Sequence, residues 1–317
     1  MPDELIRLNG VTKLYGRVLG VNDINLSLPA GAYGLLGPNG AGKSTLLNLL
    51  TGQLLPTRGT VRVLDRDPRN NPELMRRIGF CPGFEGMYSK IAGLDWVTFL
   101  LQMQGVSRVQ ALETAIECMM LVGMADSMNR PIASYSRGMR QRTKLAQAIA
   151  HDPELLILDE PLSGLDPVGR AEMTDLLRKR IADGRSLIIA SHVLHEIEAL
   201  THSFLLISGG RLLASGTAEE VHELLFDLPV EIHVRCNHPR QLAGLLMKHE
   251  LADAVRVGHD KAGEELLVVS TRQTSQFTAM LPAWIDEHEL TVFELRTADD
   301  SLQSLFNSLM RIHRGEG

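Results

Sequence analysis

The stretch Gly37-Pro38-Asn39-Gly40-Ala41-Gly42-Lys43-Ser44-Thr45, GPNGAGKST, decides the fold. It has the spacing G-x-x-x-x-G-K-[ST]. Before it lies the short apolar run AYGLL, read as a buried strand. After it, KSTLLNLLTG reads as a helix closed by Gly52. The physics of such a unit is direct. Three glycines let the backbone wrap tightly and turn its N–H groups inward. The helix start adds the positive end of its dipole. Lys43 reaches β- and γ-phosphates, and the Ser44 hydroxyl suits Mg²⁺. The strand–loop–helix context therefore points to nucleoside triphosphate binding on an α/β sheet.

Outward from this loop, strands and helices alternate. LIRLNGVTKLYG (5–16) and VNDINLSLPAG (21–31) alternate apolar and polar residues and fit a strand pair, and TVRVLD reads as a further strand. Residues 94–124 turn helical in two pieces broken at QGVSR. RQRTKLAQAIAHD reads as a helix ended by Asp152-Pro153. Then follow the strand LLIL, a helix near 168–183, the strand SLIIAS, the helix VLHEIEAL and the strand pair FLLISGGRLLAS. Such alternation predicts a parallel sheet covered on both faces.

A second chemical site is written in LLILDEP, 155–161. Four apolar residues bury, and Asp159 emerges at the carboxyl end of the strand, where α/β ligands bind. Asp159 suits Mg²⁺ through its water shell, and Glu160 suits polarisation of an attacking water. A third stretch, SRGMRQR (136–142), packs three arginines into seven residues of a chain with net charge -6. That net charge argues against a nucleic-acid coat but leaves a local basic site open. Cys81, Cys118 and Cys236 make no CxxC pair and read as reduced thiols. The start MPDELIRLNG lacks the apolar run of a signal peptide. No apolar run approaches the ~20 residues of a membrane span.

GPNGAGKST, SRGMRQR, LILDEP, SGLD (163–166) and Ser191-His192 occur in the order and spacing of ATP-binding cassette (ABC) ATPases. The chain resembles that family over about residues 4–225. The resemblance implies a P-loop NTPase nucleotide-binding domain over 1–225, with a helical subdomain at about 84–150. It implies ATP and Mg²⁺ as ligands, and a homodimer that sandwiches two ATP molecules. Lys43 and the backbone of 37–45 would hold phosphates, Ser44 and Asp159 the metal. Glu160 would act as base and His192 would position the water. Tyr15 would stack on adenine, as aromatic faces do. Ser136 and Gly138 would address the ATP of the other copy, and SGLD would couple the two sites. The implied partner is an integral membrane permease of export type, met near Phe84–Tyr88. The chain would then be cytoplasmic and peripheral on the membrane, with no nucleic-acid role. A methionine-rich span, with Met87, Met103, Met119, Met120, Met124 and Met128, fits either an adaptable contact surface or helical core. His195 and His202 read as surface residues.

Two departures from the family pattern stand out. Arg137 and Met139 replace the first glycine and the glutamine of the usual signature. Gly83 stands where a metal-sensing glutamine is usual; Glu85 is a possible stand-in, and a water ligand on Mg²⁺ is the simpler one. Gly83 keeps open an ATP-gated clamp or regulatory subunit with little hydrolysis. Translation and repair members of the family carry two cassettes or long coiled coils, which this chain lacks. After about residue 225 the pattern changes to strand, helix, strand, strand, helix, strand and a last helix over 301–313. That order predicts a ferredoxin-like α+β domain over 226–317, a dimerisation or regulatory module without a catalytic cluster.

Overall fold

A computed structural model of the chain describes residues 4–84, 86–217, 220, 230–259 and 265–297. The chain divides into two compact units, Met1–Thr217 and Ala218–Gly317. The expected 225/226 boundary, the last helix over 301–313 and Glu85 lie outside the described residues.

In the first unit, β1 (Ile6–Tyr15) and β2 (Val18–Leu28) form an antiparallel hairpin across Gly16-Arg17. β4 (Arg58–Val63) pairs with the other edge of β1. The alternation read from sequence is the burial pattern: Ile6, Leu8, Val11, Ile24, Val61 and Val63 face the core. The second sheet contains β3 (Ala32–Leu36), β5 (Ile78–Cys81), β6 (Leu155–Asp159), β7 (Ser186–Ser191), β8 (Ser203–Ser208) and β9 (Arg211–Thr217). Its order is β5-β6-β7-β3-β8-β9. All neighbours run parallel except β9, which is antiparallel to β8. Every residue of β6 and β7 is buried, as befits strands covered on both faces. The strand β5 is absent from the sequence reading: four residues are too few to show a period.

Parallel register sets the site. β6 and β3 both pair with β7, so their carboxyl ends lie at one edge of the sheet. The phosphate-loop residues follow β3, Glu160 follows β6, and His192 follows β7. Helix α1 (Lys43–Leu50) leaves the loop and buries Leu46, Leu47, Leu49 and Leu50 in the core. A short α2 (Pro72–Met75) precedes β5.

The helical stretch comprises α3 (Gly93–Met103), α4 (Arg108–Leu121) and α5 (Arg137–Ile149), followed after β6 by α6 (Pro167–Ala182) and after β7 by α7 (Leu194–Glu198). The break between α3 and α4 falls where QGVSR predicts it; Ser107 caps α4 by accepting from Gln110 N–H at 3.4 Å. α5 begins three residues before the sequence reading, because the Ser136 hydroxyl accepts from Met139 N–H at 3.2 Å and starts the helix. The methionines divide. Met119 and Met124 are core, Met87 and Met128 are half-buried, and Met103 and Met120 are exposed.

The second unit has β10 (Val230–Cys236), α8 (Pro239–Lys248), β11 (Ala254–His259), β12 (Glu265–Thr271), α9 (Thr274–Glu287) and β13 (Val292–Thr297). Its antiparallel sheet has the order β11-β12-β10-β13. Alternate residues Ile232, Val234, Leu267 and Val269 pack against Leu242, Leu246, Phe277, Leu281 and Trp284, closing a core of its own. All three cysteines are free and buried; burial pushes the Cys81 thiol up to about 12, which makes it inert at neutral pH.

Candidate functional site

The phosphate loop borders a cleft of about 550 Å³. Gly42 makes its sharpest demand on the backbone: φ is 107°, and a Cβ there would fall 2.5 Å from the Gly20 carbonyl oxygen. Only glycine makes this turn into α1. No side chain caps α1, and its first turn holds no acidic residue. Its leading N–H groups thus present a positive helix end toward the cleft, suited to phosphate. Lys43 is buried and donates to the carbonyl oxygens of Gly37 (2.5 Å) and Pro38 (3.2 Å). Burial pushes its pKa down, opposed by the charges of Glu160 and Asp159. An incoming triphosphate supplies stronger partners for this ammonium than two carbonyls do.

Tyr15 lines the cleft at 45 % exposure, its hydroxyl 3.4 Å from Thr45 Oγ1 and its ring 5.5 Å from Lys13 Nζ. Pro38 to Thr45, Asp159 and Glu160 line it too, while Gly37 lies behind the loop. Asp159 is buried. Desolvation raises its pKa, a hydrogen bond from Ser44 opposes this, the Glu160 charge adds to it, and Lys43 and Lys144 lower it. Hard oxygens of an aspartate and a serine, already hydrogen-bonded together, fit Mg²⁺. Gly83 faces this pair: a Cβ built on it would lie 3.0 Å from Asp159 Oδ2. The missing side chain leaves room beside the carboxylate for a water ligand.

Glu160 holds a left-handed φ of 51°, costly for a residue with a side chain. Its surroundings enforce it. Glu160 N–H donates to Ala190 O (2.9 Å), and the buried Gln141 amide donates to Pro161 O (2.8 Å) and Glu160 O (3.4 Å). This turn carries the carboxylate toward β7. There the His192 backbone N–H donates to Glu160 Oε1 (3.1 Å), and His192 Nδ1 stands 2.9 Å from both carboxylate oxygens. His195 takes no part in this pair.

Ser136 and Gly138 are not in the cleft. They lie with the SGLD turn, where a Cβ on Gly138 would be 3.1 Å from the Gly164 carbonyl oxygen. The three arginines of SRGMRQR each have partners inside the chain. Arg137 donates to Ser163 Oγ (2.7 Å), Arg140 to Tyr135 O (2.5 Å), and Arg142 to Val122 O and Glu172, both at 2.8 Å. The charge cluster is therefore spent largely on packing α5.

Several residues of the site escaped the sequence reading. Val18, Leu19 and Phe80 line the cleft with Tyr15, and nothing in their isolated apolar character marks them as lining residues; Phe84, expected as a partner contact, lines it too. Gln141 and Lys144, three apart on α5, are both buried; Lys144 donates to Pro82 O at 2.9 Å, next to Gly83. Their signal is a polar pair on a helix face otherwise lined by Leu145, Ala146 and Ala148.

A family model described as ABC transporter matches residues 21–163. The chain is 31% identical over 310 residues to the daunorubicin/doxorubicin resistance ATP-binding protein DrrA of Streptomyces peucetius, covering 97% of this chain and 93% of that one. It is 37% identical over 224 residues to the bacitracin transport ATP-binding protein BcrA of Enterococcus faecalis, covering 70% and 72%. Among solved structures it is similar to a dimeric post-hydrolysis state of the ATP-binding cassette MJ0796 bound to ADP and Pi. The TM-score is 0.62 at 23% identity, covering 67% of this chain and 98% of that one.

Proposed function

The chain belongs to the ABC transporter ATP-binding proteins and is an ATPase of that family; from this premise we propose that it powers export through a partner membrane permease, by ATP-driven closure of a homodimer. The observation that carries the reading is the Glu160–His192 pair at the edge of the phosphate-loop cleft. A clamp that only binds ATP has no use for a carboxylate held in a strained turn and oriented by an imidazole.

In this reading ATP enters with its base against Tyr15, Val18 and Leu19 and its phosphates along 37–45. Lys43 exchanges the carbonyls of Gly37 and Pro38 for phosphate oxygens. Ser44 and Asp159 would hold Mg²⁺, which would supply positive charge against the triphosphate. Glu160 orients a water and takes its proton as the water oxygen bonds to the γ-phosphorus. The bond from that phosphorus to the β–γ bridging oxygen breaks, and ADP leaves with the electron pair. His192 keeps the carboxylate aimed. Ser136 and Gly138, remote from their own cleft, address the ATP of a second copy with a helix N-terminus.

The relatives' names, which speak of drug resistance and bacitracin transport, support an exporter of small or peptide molecules. Among the described residues no helix is long and apolar enough to cross a membrane; in this reading the path for cargo is supplied by a partner chain. Phe84 and Tyr88, 58% and 69% exposed beside the helical stretch 84–150, are the proposed contact for that partner. The chain is proposed to lie on the cytoplasmic face of the membrane. The second unit, with its strand–helix–strand–strand–helix–strand order and its sheet order, supports a ferredoxin-like domain at 226–317 with a dimerisation or regulatory role.

The test is ATP turnover by the purified chain, alone and with a detergent-solubilised permease that co-purifies with it. Turnover that rises with the permease is expected. Negligible turnover in both favours the clamp reading and overturns this one.

A further inference from the structure

The sequence departs from the family signature at Arg137, and the structure gives that side chain a task. Its Nη2 donates to Ser163 Oγ at 2.7 Å. Its stem lies flat on Gly164: a Cβ built there would fall 2.7 Å from Arg137 Cγ and 2.8 Å from Cδ and Nε. Gly164 also has φ of 80°, a backbone conformation that favours glycine. A glycine at position 137 would offer neither the hydrogen bond nor the cover.

The segment 160–166 joins two functional groups. Glu160 stands at its start and the SGLD turn at its end. α5 grips the segment at two points, four residues apart on one helix face. Gln141 holds the carbonyls of Glu160 and Pro161, and Arg137 holds Ser163 and Gly164. Within the segment, Ser163 N–H donates to Glu160 O at 3.2 Å, so the turn and the base share one hydrogen-bonded loop. The residue immediately before Arg137 is Ser136, the cap of α5.

We propose that Arg137 is a positioning residue that fastens the SGLD turn to the start of α5, so that Ser136, the turn and Glu160 move as one unit and each ATP site of the dimer senses occupancy of the other. The proposal rests on the dimer reading above. ATP held by a second copy acts on Ser136 at the helix start, Arg137 passes that displacement to Ser163–Gly164, and the short loop passes it to the base. Without the guanidinium the turn keeps Arg170 Nε on Leu165 O (3.2 Å) and the buried Leu165 side chain, but it loses its side-chain link to the start of α5, and the two sites fire independently.

The experiment compares full-length parent, Arg137→Ala, Arg137→Lys, Ser163→Ala and the double variant. Two readouts are taken. The first is amide hydrogen exchange at 162–165 in the nucleotide-free chain, which needs no dimer. Exchange is expected to quicken about fivefold or more in Arg137→Ala and Ser163→Ala, with no further gain in the double variant. The second is the ATP dependence of turnover. The Hill coefficient is expected to fall from above ~1.5 in the parent toward ~1 in both single variants, two sites setting the ceiling at 2. Arg137→Lys, a single flexible donor, is expected between parent and alanine. Parental exchange and a parental Hill coefficient in Arg137→Ala overturn the proposal, as does a lowered Tm with unchanged cooperativity. The dimer reading fails separately, if Glu160→Gln stays monomeric with ATP.

Discussion

Asp159 and Glu160 are neighbours with opposite burdens. Asp159 is buried against its charge, and burial raises its pKa. An acid whose folded pKa is raised favours the folded state at low pH, and that contribution is lost as pH rises through the raised value. Asp159→Asn removes the burden. The variant is expected to melt higher than the parent at pH 7, by roughly 2–4 °C per kcal/mol recovered. The gap should close as pH falls below the ordinary carboxylate range, where both chains carry a neutral group. Turnover should drop at least about a hundredfold, since the proposed metal ligand is gone. Thermal melts across pH, beside a phosphate-release assay, check both halves. Glu160 bears conformational strain instead, at φ of 51°. The Asp159-Glu160 pair was legible in the sequence as a candidate, because an apolar run ending in Asp-Glu is a local pattern. The sequence could not show the strain, nor the 2.9 Å contact of His192 with Glu160, 32 positions away, because these depend on β6 and β7 lying in register.

At the scale of elements, α5 is the organiser. One end caps on Ser136, its middle supports Glu160 and Pro161 through Gln141, and farther along Lys144 reaches Pro82 beside Gly83. Gln141→Leu keeps approximate volume but leaves the buried Pro161 carbonyl without its donor. Loss of about 1–3 kcal/mol is expected, together with slower turnover, because the strained turn at Glu160 loses a restraint. Denaturant unfolding and steady-state kinetics on one preparation test this. Gly164→Ala is expected to cost at least about 1 kcal/mol from its φ alone, and more from the Arg137 stem lying on it. Helix α5 was legible as a helix but not as an organiser. Its arginines read as a charge patch until their partners at Ser163, Tyr135 and Glu172 came into view. The reading of the methionine span was mixed for a similar reason. Helical period places Met119 inward only once the packing of α3, α4 and α5 is known, and Met124 is buried just past the end of α4, where no period applies.

At the scale of the whole molecule, each unit buries one of the chain's two tryptophans: Trp96 in the first and Trp284 in the second. Single-tryptophan variants therefore report each unit separately. Mg·ATP at about a hundred times its Kd should stabilise the unit that binds it by about 2.7 kcal/mol. The midpoint reported by Trp96 should shift, and that reported by Trp284 should stay. The overall βα alternation, the parallel sheet and the phosphate loop were within reach of periodicity and motif spacing; the strand order β5-β6-β7-β3-β8-β9 was not, because it rests on pairings between segments far apart in the chain. The central claim goes beyond both: half of each ATP site comes from a second copy of the chain, and Glu160 drives hydrolysis there. Light scattering on Glu160→Gln during size-exclusion chromatography tests it most directly. With Mg·ATP the mass should double, while turnover stands at or below about one hundredth of the parent; a chain that stays monomeric with ATP bound, or that hydrolyses at the parental rate, would contradict the account.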